Sequence, residues 1–183
     1  MQMQQIFKGE RFPNVVVALE GTVLATWGSK SVRVRRSEDG GKTWGPVIPI
    51  GKGMHGGGAL VDETSGDVLL FLHSKHPPKG GTTAPRTMYR STDHGKTWAT
   101  AEAAFRKDAQ GQVPSLHMSE HGITLRHGKQ AGRLIRPARV YGGASGYNTA
   151  IYSDDSGKTW LASGPFPALG TGEGAIAELA DGR

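Results

Sequence analysis

The side chains able to do chemistry are few in this 183-residue sequence. Away from a repeated turn phrase described below, the loop carboxylates are Glu10, Glu120 and Glu173, and the last two begin equivalent strands in successive repeats. Two carboxylates at one site are the machinery of glycoside hydrolysis, one moving a proton and one stabilising or attacking the sugar. Taken alone, each is equally a solvated strand end. His55, His76, His117 and His121 are candidates for acid–base work or substrate contact. Metal binding gets no support, because no HExxH-type spacing is present and the chain has no cysteine. A nucleotide loop is excluded as well. The GKT triplets lack the earlier glycine that G-x-x-x-x-G-K-[ST] requires, those positions being Arg36, Arg90 and Tyr152.

The elements that must position these groups are announced by one phrase used three times. Residues 37–44 read SEDGGKTW, 91–98 read STDHGKTW and 153–160 read SDDSGKTW. Asp39, Asp93 and Asp155 can accept hydrogen bonds from amides ahead of them in an Asx-type turn, and the following glycines can take positive φ. Trp44, Trp98 and Trp160 then supply apolar area to bury. Each copy is therefore expected to be a structural β-turn joining two strands. Repeats at this spacing imply one supersecondary unit used several times.

Alternating apolar patterns fill in the strands. The first unit (about 11–50) has strands within 11–27 around a turn at 20–21, then 32–36 and 43–50. The second (about 57–102) has 58–62, 67–73, 87–91 and 97–101, with a long Gly/Pro-rich loop at 74–86. The third (about 120–163) has 122–126, 133–140, 148–153 and 159–162. A fourth begins with 173–179 and a turn at 180–182. Four-stranded antiparallel units in series predict an all-β fold, a β-propeller, with about three blades plus the first hairpin of a fourth. A propeller needs more blades to close, so a longer protein is expected, and the 183-residue piece is not expected to be stable alone.

Strand direction then separates chemistry from scaffold. The turn phrases share a face with the first-to-second turns. The opposite face collects Arg11, residues 28–31, His55, the 74–86 loop, 117–121, 141–147 and Glu173, and a ligand site is expected where such loops converge.

On these residues the chain resembles the sialidases, or neuraminidases, of glycoside hydrolase family 33, whose Asp-box (BNR) repeats are similar to the three phrases. Arg11-Phe12-Pro13 resembles their R-I-P motif, 121–134 (HGITLRHGKQAGRL) their G-I-x-L…GRL stretch, and 173–183 (EGAIAELADGR) the stretch that carries their catalytic Glu. The resemblance implies a six-bladed propeller that releases a terminal sialic acid with retention, a Tyr acting as nucleophile and a Glu as its base. It implies that Arg11 binds the sugar carboxylate, that Glu173 is the activating Glu and that Glu178 is structural. The other two Arg of the triad and the Tyr would lie beyond Arg183. The family's acid–base Asp sits in a loop between the second and third strands of the first blade. Here that loop is Gly28-Ser29-Lys30-Ser31, without a carboxylate. The proton is left to another group, with Glu120, His121 and the 74–86 loop as the places to look.

The expected partner is a sialylated or other acidic glycan, with no cofactor. The net charge of +6 fits a site for an acidic small substrate, its basic residues being scattered rather than in a nucleic-acid-binding tract. No apolar run reaches membrane-spanning length, and the opening residues lack a signal peptide's apolar segment, although the resemblance implies a secreted or periplasmic setting. Two further readings are a propeller that binds glycan or protein without catalysis, and a related glycosidase or lyase with a different acid–base group.

Overall fold

A computed structural model describes residues 3–9, 11–116 and 120–183; Glu10 and His117 lie outside the described residues. The described residues form three sheets, antiparallel except for one short added strand. The first is β1 (Asn14–Val17), β2 (Val23–Trp27), β3 (Ser31–Ser37) and β4 (Ile48–Lys52) in sequential order; the second is β5 (Met54–Val61), β6 (Val68–His73), β7 (Arg86–Ser91) and β8 (Ala99–Ala101). The third contains β10 (Ile123–Thr124), β11 (Leu134–Val140), β12 (Tyr147–Ser153) and β13 (Thr159–Ala162), with β9 (Ala104–Phe105) added outside β13. Among the described residues, no helix is long and apolar enough to cross a membrane.

The sheets stack face to face, and β6 shows why. All six of its residues are buried, which matches a strand covered on both faces. Side chains alternate across a strand. Val68, Leu70 and Leu72 therefore pack with Val16, Leu24 and Val34 of the first sheet. Leu69 and Phe71 pack with Leu134, Ile151 and Trp160 of the third. The middle sheet thus divides one apolar run between two cores.

Each turn phrase closes on itself in the same way. In the first copy Asp39 Oδ1 accepts from Ser37 Oγ at 2.8 Å and from the amides of Lys42 and Thr43 at 3.0 and 2.9 Å, while Thr43 Oγ1 donates to Oδ2 at 2.6 Å. The Gly41 amide donates to Ser37 Oγ, and the Trp44 indole to Gly41 O. Asp93 and Asp155 repeat the serine and threonine-amide contacts, and Trp98 and Trp160 repeat the indole bond. The fourth and fifth residues are left-handed throughout: Gly40, His94 and Ser156 have φ of 73°, 56° and 55°, and the following glycines 89°, 81° and 83°. The Thr43 hydroxyl is the chief cause holding Asp39 well below the usual carboxylate range. For Asp93, burial pushes upward but the bonds from Thr97 and Ser91 outweigh it, bringing the pKa down to about 2.

The phrases also register the blades. Arg36, just before the first phrase, donates from Nε to the carbonyl of His94, the fourth residue of the second phrase, at 2.8 Å. Arg90 makes the same connection to Ser156 in the third. A Cβ on Gly95 would lie 2.7 Å from Leu24, and one on Gly157 2.8 Å from Leu69, the matching leucine one blade further on. His94 Nε2 lies 3.2 Å from Glu20, in the β1–β2 turn, so phrases and first turns share a face.

The ladders differ from the sequence expectation in definite places. β4 begins at Ile48 rather than 43, because residues 39–44 are consumed by the turn's own hydrogen bonds. β5 begins at Met54 rather than 58, and its register with β6 shifts between His55 and Ala59, where Gly57 and Gly58 have φ of 69° and 66°. That is a β-bulge, which displaces one strand without ending it. β9 is unanticipated: two residues from the link between the second and third sheets pair parallel with Thr159 and Trp160. Residues 173–183 run to a turn held by Gly182 N to Leu179 O at 2.9 Å and Leu179 N to Arg183 O at 2.7 Å, without strand pairing.

Two outcomes follow. Gly95→Ala adds a Leu24 clash to left-handed strain and should cost about 2–4 kcal/mol in urea unfolding. Gly41→Ala meets only Trp44 at 3.7 Å and should cost about 1–2 kcal/mol. Because the folded Asp93 pKa lies below its ordinary 3.8, the stability it contributes is complete above that value and is lost as pH falls toward about 2. Asp93→Asn should therefore flatten the fall in melting temperature across that window.

Candidate functional site

On the face away from the turn phrases lies a cavity of about 470 Å³, whose lining includes Arg11, His55, Glu120 and Glu173. Four separate segments contribute these side chains, and backbone hydrogen bonds explain why they meet. The Gly28 amide donates to Arg11 O at 3.0 Å, and the His55 amide donates to Gly28 O at 2.8 Å. The short 28–31 connection therefore acts as a clasp that sets Arg11 beside His55. Its tightness needs glycine: Gly28 has φ 139°, and a Cβ there would lie 2.1 Å from Ser31 O. On the other side the Glu120 amide donates to Gly174 O at 3.0 Å, tying the two glutamate segments together. Asn148 Nδ2 also donates to Glu173 O at 3.3 Å.

Arg11 is exposed, with its guanidinium over the Phe12 ring at 4.9 Å from the centroid. Phe12 has φ 61°, uncommon for a bulky residue. That corner turns the chain between Arg11 and β1 at the cavity wall.

Beneath the cavity lies Arg136, fully buried, with its guanidinium over Phe71 at 4.5 Å. It donates to Gly56 O at 2.8 Å, to Gly57 O, and to Glu120 O at 3.4 Å. The arginine thus fastens the bulge to the Glu120 segment. Burial, followed by the nearby Arg86 charge, lowers its pKa to about 9. Arg86 is itself held by Pro114 O at 2.6 Å and Thr83 Oγ1 at 2.8 Å. Neither arginine forms an ion pair with a carboxylate among the described residues.

His55 is 1% exposed. The Gly58 amide donates to its Nδ1 at 3.1 Å, which makes Nδ1 an acceptor and puts the proton of the neutral ring on Nε2. Burial, and then Arg136, hold its pKa down at about 3. A ring so hard to charge is a poor proton shuttle near neutrality and a suitable neutral hydrogen-bond donor.

The other sequence candidates lie apart. His121 lines a shallow pocket with Val15, Val17 and Ile123, although its Cα would be 2.7 Å from a Cβ on Gly58. His76 is exposed in a second cavity of about 580 Å³, edge-on to Tyr141 at 5.3 Å. Asp39, Asp93, Asp155 and the three tryptophans do not line the main cavity. No group of three or more His, Asp or Glu suited to a metal occurs among the described residues.

Sequence reasoning missed Asn14, the 56–58 bulge and Arg136. The last had a readable signal, since Arg136 falls in phase with Leu134 and Ala138 on the buried face of β11. Tyr141 was only part of a loop range. Its hydroxyl is raised by burial, with Arg139 opposing and Glu173 adding to the shift, so the Glu173 charge reaches it.

Stacked four-stranded sheets, self-bonded Asp turns on one face and a polar cavity on the other define a β-propeller of the Asp-box class. A family model described as a BNR repeat-like domain matches residues 21–178, and the chain belongs to that family within the sialidase superfamily. It is 32% identical to a sialidase of Micromonospora viridifaciens over 97% of its length, covering 32% of that protein. It is 28% identical to a sialidase of Bacteroides fragilis over 94% of its length, covering 38%. The chain thus spans about a third of the length of these relatives. Among solved structures, the Hadza microbial sialidase Hz136 superposes with a TM-score of 0.63 at 21% identity, over 85% of this chain and 37% of that one. That likeness shows the fold.

Removing the Arg136 clasp tests how the site is assembled. Arg136→Met should leave the Gly56, Gly57 and Glu120 carbonyls without this donor, and a buried acceptor left unpaired costs about 1–3 kcal/mol. Amide hydrogen exchange should rise at residues 56–58 before it rises in β12.

Proposed function

We propose that this protein contributes the Arg11–Glu173 cavity to an exo-glycosidase that hydrolyses a terminal acidic sugar, sialic acid, from glycoconjugates. The convergence of Arg11, His55, Glu120 and Glu173 in one cavity carries the reading. Arg11 offers a guanidinium fork that matches a sugar carboxylate. Buried Arg136, with half-buried Arg86 close enough to influence it, adds positive charge behind the cavity wall and favours an anionic ligand. Glu173 takes the role of base toward a tyrosine nucleophile. Glu120, tied to the Glu173 segment, takes the proton-transfer role that the carboxylate-free 28–31 connection leaves open. The sialidases of M. viridifaciens and B. fragilis support the substrate class.

The full-length protein should hydrolyse a fluorogenic sialoside. Glu173→Gln should lower kcat by about 10²–10⁴-fold, the usual worth of a positioned acid–base group. Arg11→Ala should raise KM by about 10–100-fold, as expected for losing a charged hydrogen-bonding partner. Ordinary turnover in both variants would remove the site assignment. The same carboxylate-free connection also favours a second reading, a glycan-binding propeller without catalysis. Sialoside binding without hydrolysis by the full-length protein would select it.

A further inference from the structure

Among the described residues, two buried polar side-chain atoms of the cavity lining have no hydrogen-bond partner. They are His55 Nε2 and Asn14 Oδ1, and both residues line the cavity. A buried polar atom without a partner is unfavourable, so a ligand group that satisfies it gains from doing so. These two are complementary. The Gly58 amide already occupies His55 Nδ1, so Nε2 carries the hydrogen and can only donate. Asn14 Oδ1 can only accept.

Gly58 ties both groups to one corner of the cavity. Its amide binds the imidazole, and a Cβ on it would lie 2.8 Å from Asn14 Oδ1. The imidazole is not free to swing toward another partner. His55 is fixed through Nδ1 and through its amide bond to Gly28 O. Asn14 belongs to β1, paired with Thr26. One donor and one acceptor, set around Gly58 and unsatisfied, match a hydroxyl group, which accepts one hydrogen bond and donates another. A carboxylate would leave Asn14 unpaired and oppose its oxygen, whereas an ammonium group would leave His55 unpaired.

We propose that His55 and Asn14 form a hydroxyl-reading subsite at the floor of the cavity, with His55 donating to a sugar hydroxyl and Asn14 accepting from one. The proposal rests on the glycan reading of the cavity and deepens it. Arg11 selects the anionic group of the ligand, and the His55–Asn14 pair selects its polyol part. In this role His55 is a substrate-binding residue that transfers no proton.

The test uses the full-length protein labelled with 15N-histidine, at pH 7, with free N-acetylneuraminic acid, glucuronic acid and galactose as probes. Before any sugar is added, His55 should show the neutral Nε2–H tautomer; an imidazolium or Nδ1–H signal overturns the subsite whichever sugar binds. N-acetylneuraminic acid, with affinity measured by calorimetry, should shift the His55 Nε2–H resonance. His55→Gln, which keeps an N–H near the Nε2 position, should bind within about threefold of the parent, whereas His55→Leu and Asn14→Leu should each weaken binding about tenfold or more. If N-acetylneuraminic or glucuronic acid binds and the His55 signal is unmoved, the subsite is wrong and the acidic-sugar class stands; if only galactose binds, the acidic-sugar class is wrong and the His55 shift alone decides the subsite. If only glucuronic acid binds and shifts the signal, the sialic acid assignment is wrong and the subsite stands. If none of the three binds, both are wrong.

Discussion

The interaction on which the structure depends is a carboxylate that binds the chain just ahead of it. Asp39, Asp93 and Asp155 each accept from the serine two residues before and the threonine amide four residues after, which holds the intervening backbone in the left-handed region. Without those bonds, two consecutive left-handed residues, one of them His94 or Ser156, would be costly. With them, each third strand is delivered to its fourth at a fixed angle. The same corners present a carbonyl and a bare glycine to the neighbouring blade, where Arg36 and Leu24, or Arg90 and Leu69, are waiting. Local turn chemistry thereby sets the stacking of whole sheets, and the stacking brings the opposite face's loops together.

That opposite face is assembled by backbone and carries charge without internal compensation. Buried Arg136 and half-buried Arg86 rest against carbonyls and aromatic rings, and among the described residues neither pairs with a carboxylate. Such burial is tolerable because carbonyl dipoles and π faces partly replace water, yet it leaves the region positive. Meanwhile the carboxylates of the site, Glu120 and Glu173, stay exposed at the cavity. Cationic side chains thus lie behind a cavity whose rim carries exposed carboxylates.

Much of this was legible in the sequence, for identifiable reasons. Asp turns and strand alternation are local, and strand direction follows from counting, so the three sheets, the two faces and the meeting of Arg11, His55, Glu120 and Glu173 could be anticipated. The bulge at 56–58 could not, because a run of glycines marks freedom without saying how it is used. Nor could the separation of His76 and His121 from the main cavity, since loop membership fixes a face but not a position on it. β9 was hidden because two residues, Ala104 and Phe105, carry no periodicity. The 28–31 connection was first notable for the carboxylate it lacks; its role as a clasp between Arg11 and His55 rests on backbone amides that no side-chain pattern reveals.

The segment that carries β9 continues across the third sheet. It is held at the outer edge by Ala104 N to Lys158 O and Arg106 N to Trp160 O. At the other side it is held by the reciprocal bonds between Ser115 and Arg139, at 2.7 and 2.9 Å. Beside these anchors Phe105 and Leu116 pack into the core around Trp160. The segment is a belt buckled at both ends, belonging by sequence to the link after the second sheet and by contact to the third. A belted sheet cannot peel away from its outer strand inward, because that strand is not an edge. It must unbuckle first, at Ala104 and Arg106 or at Ser115, so the third blade opens only after contacts outside its own four strands have gone.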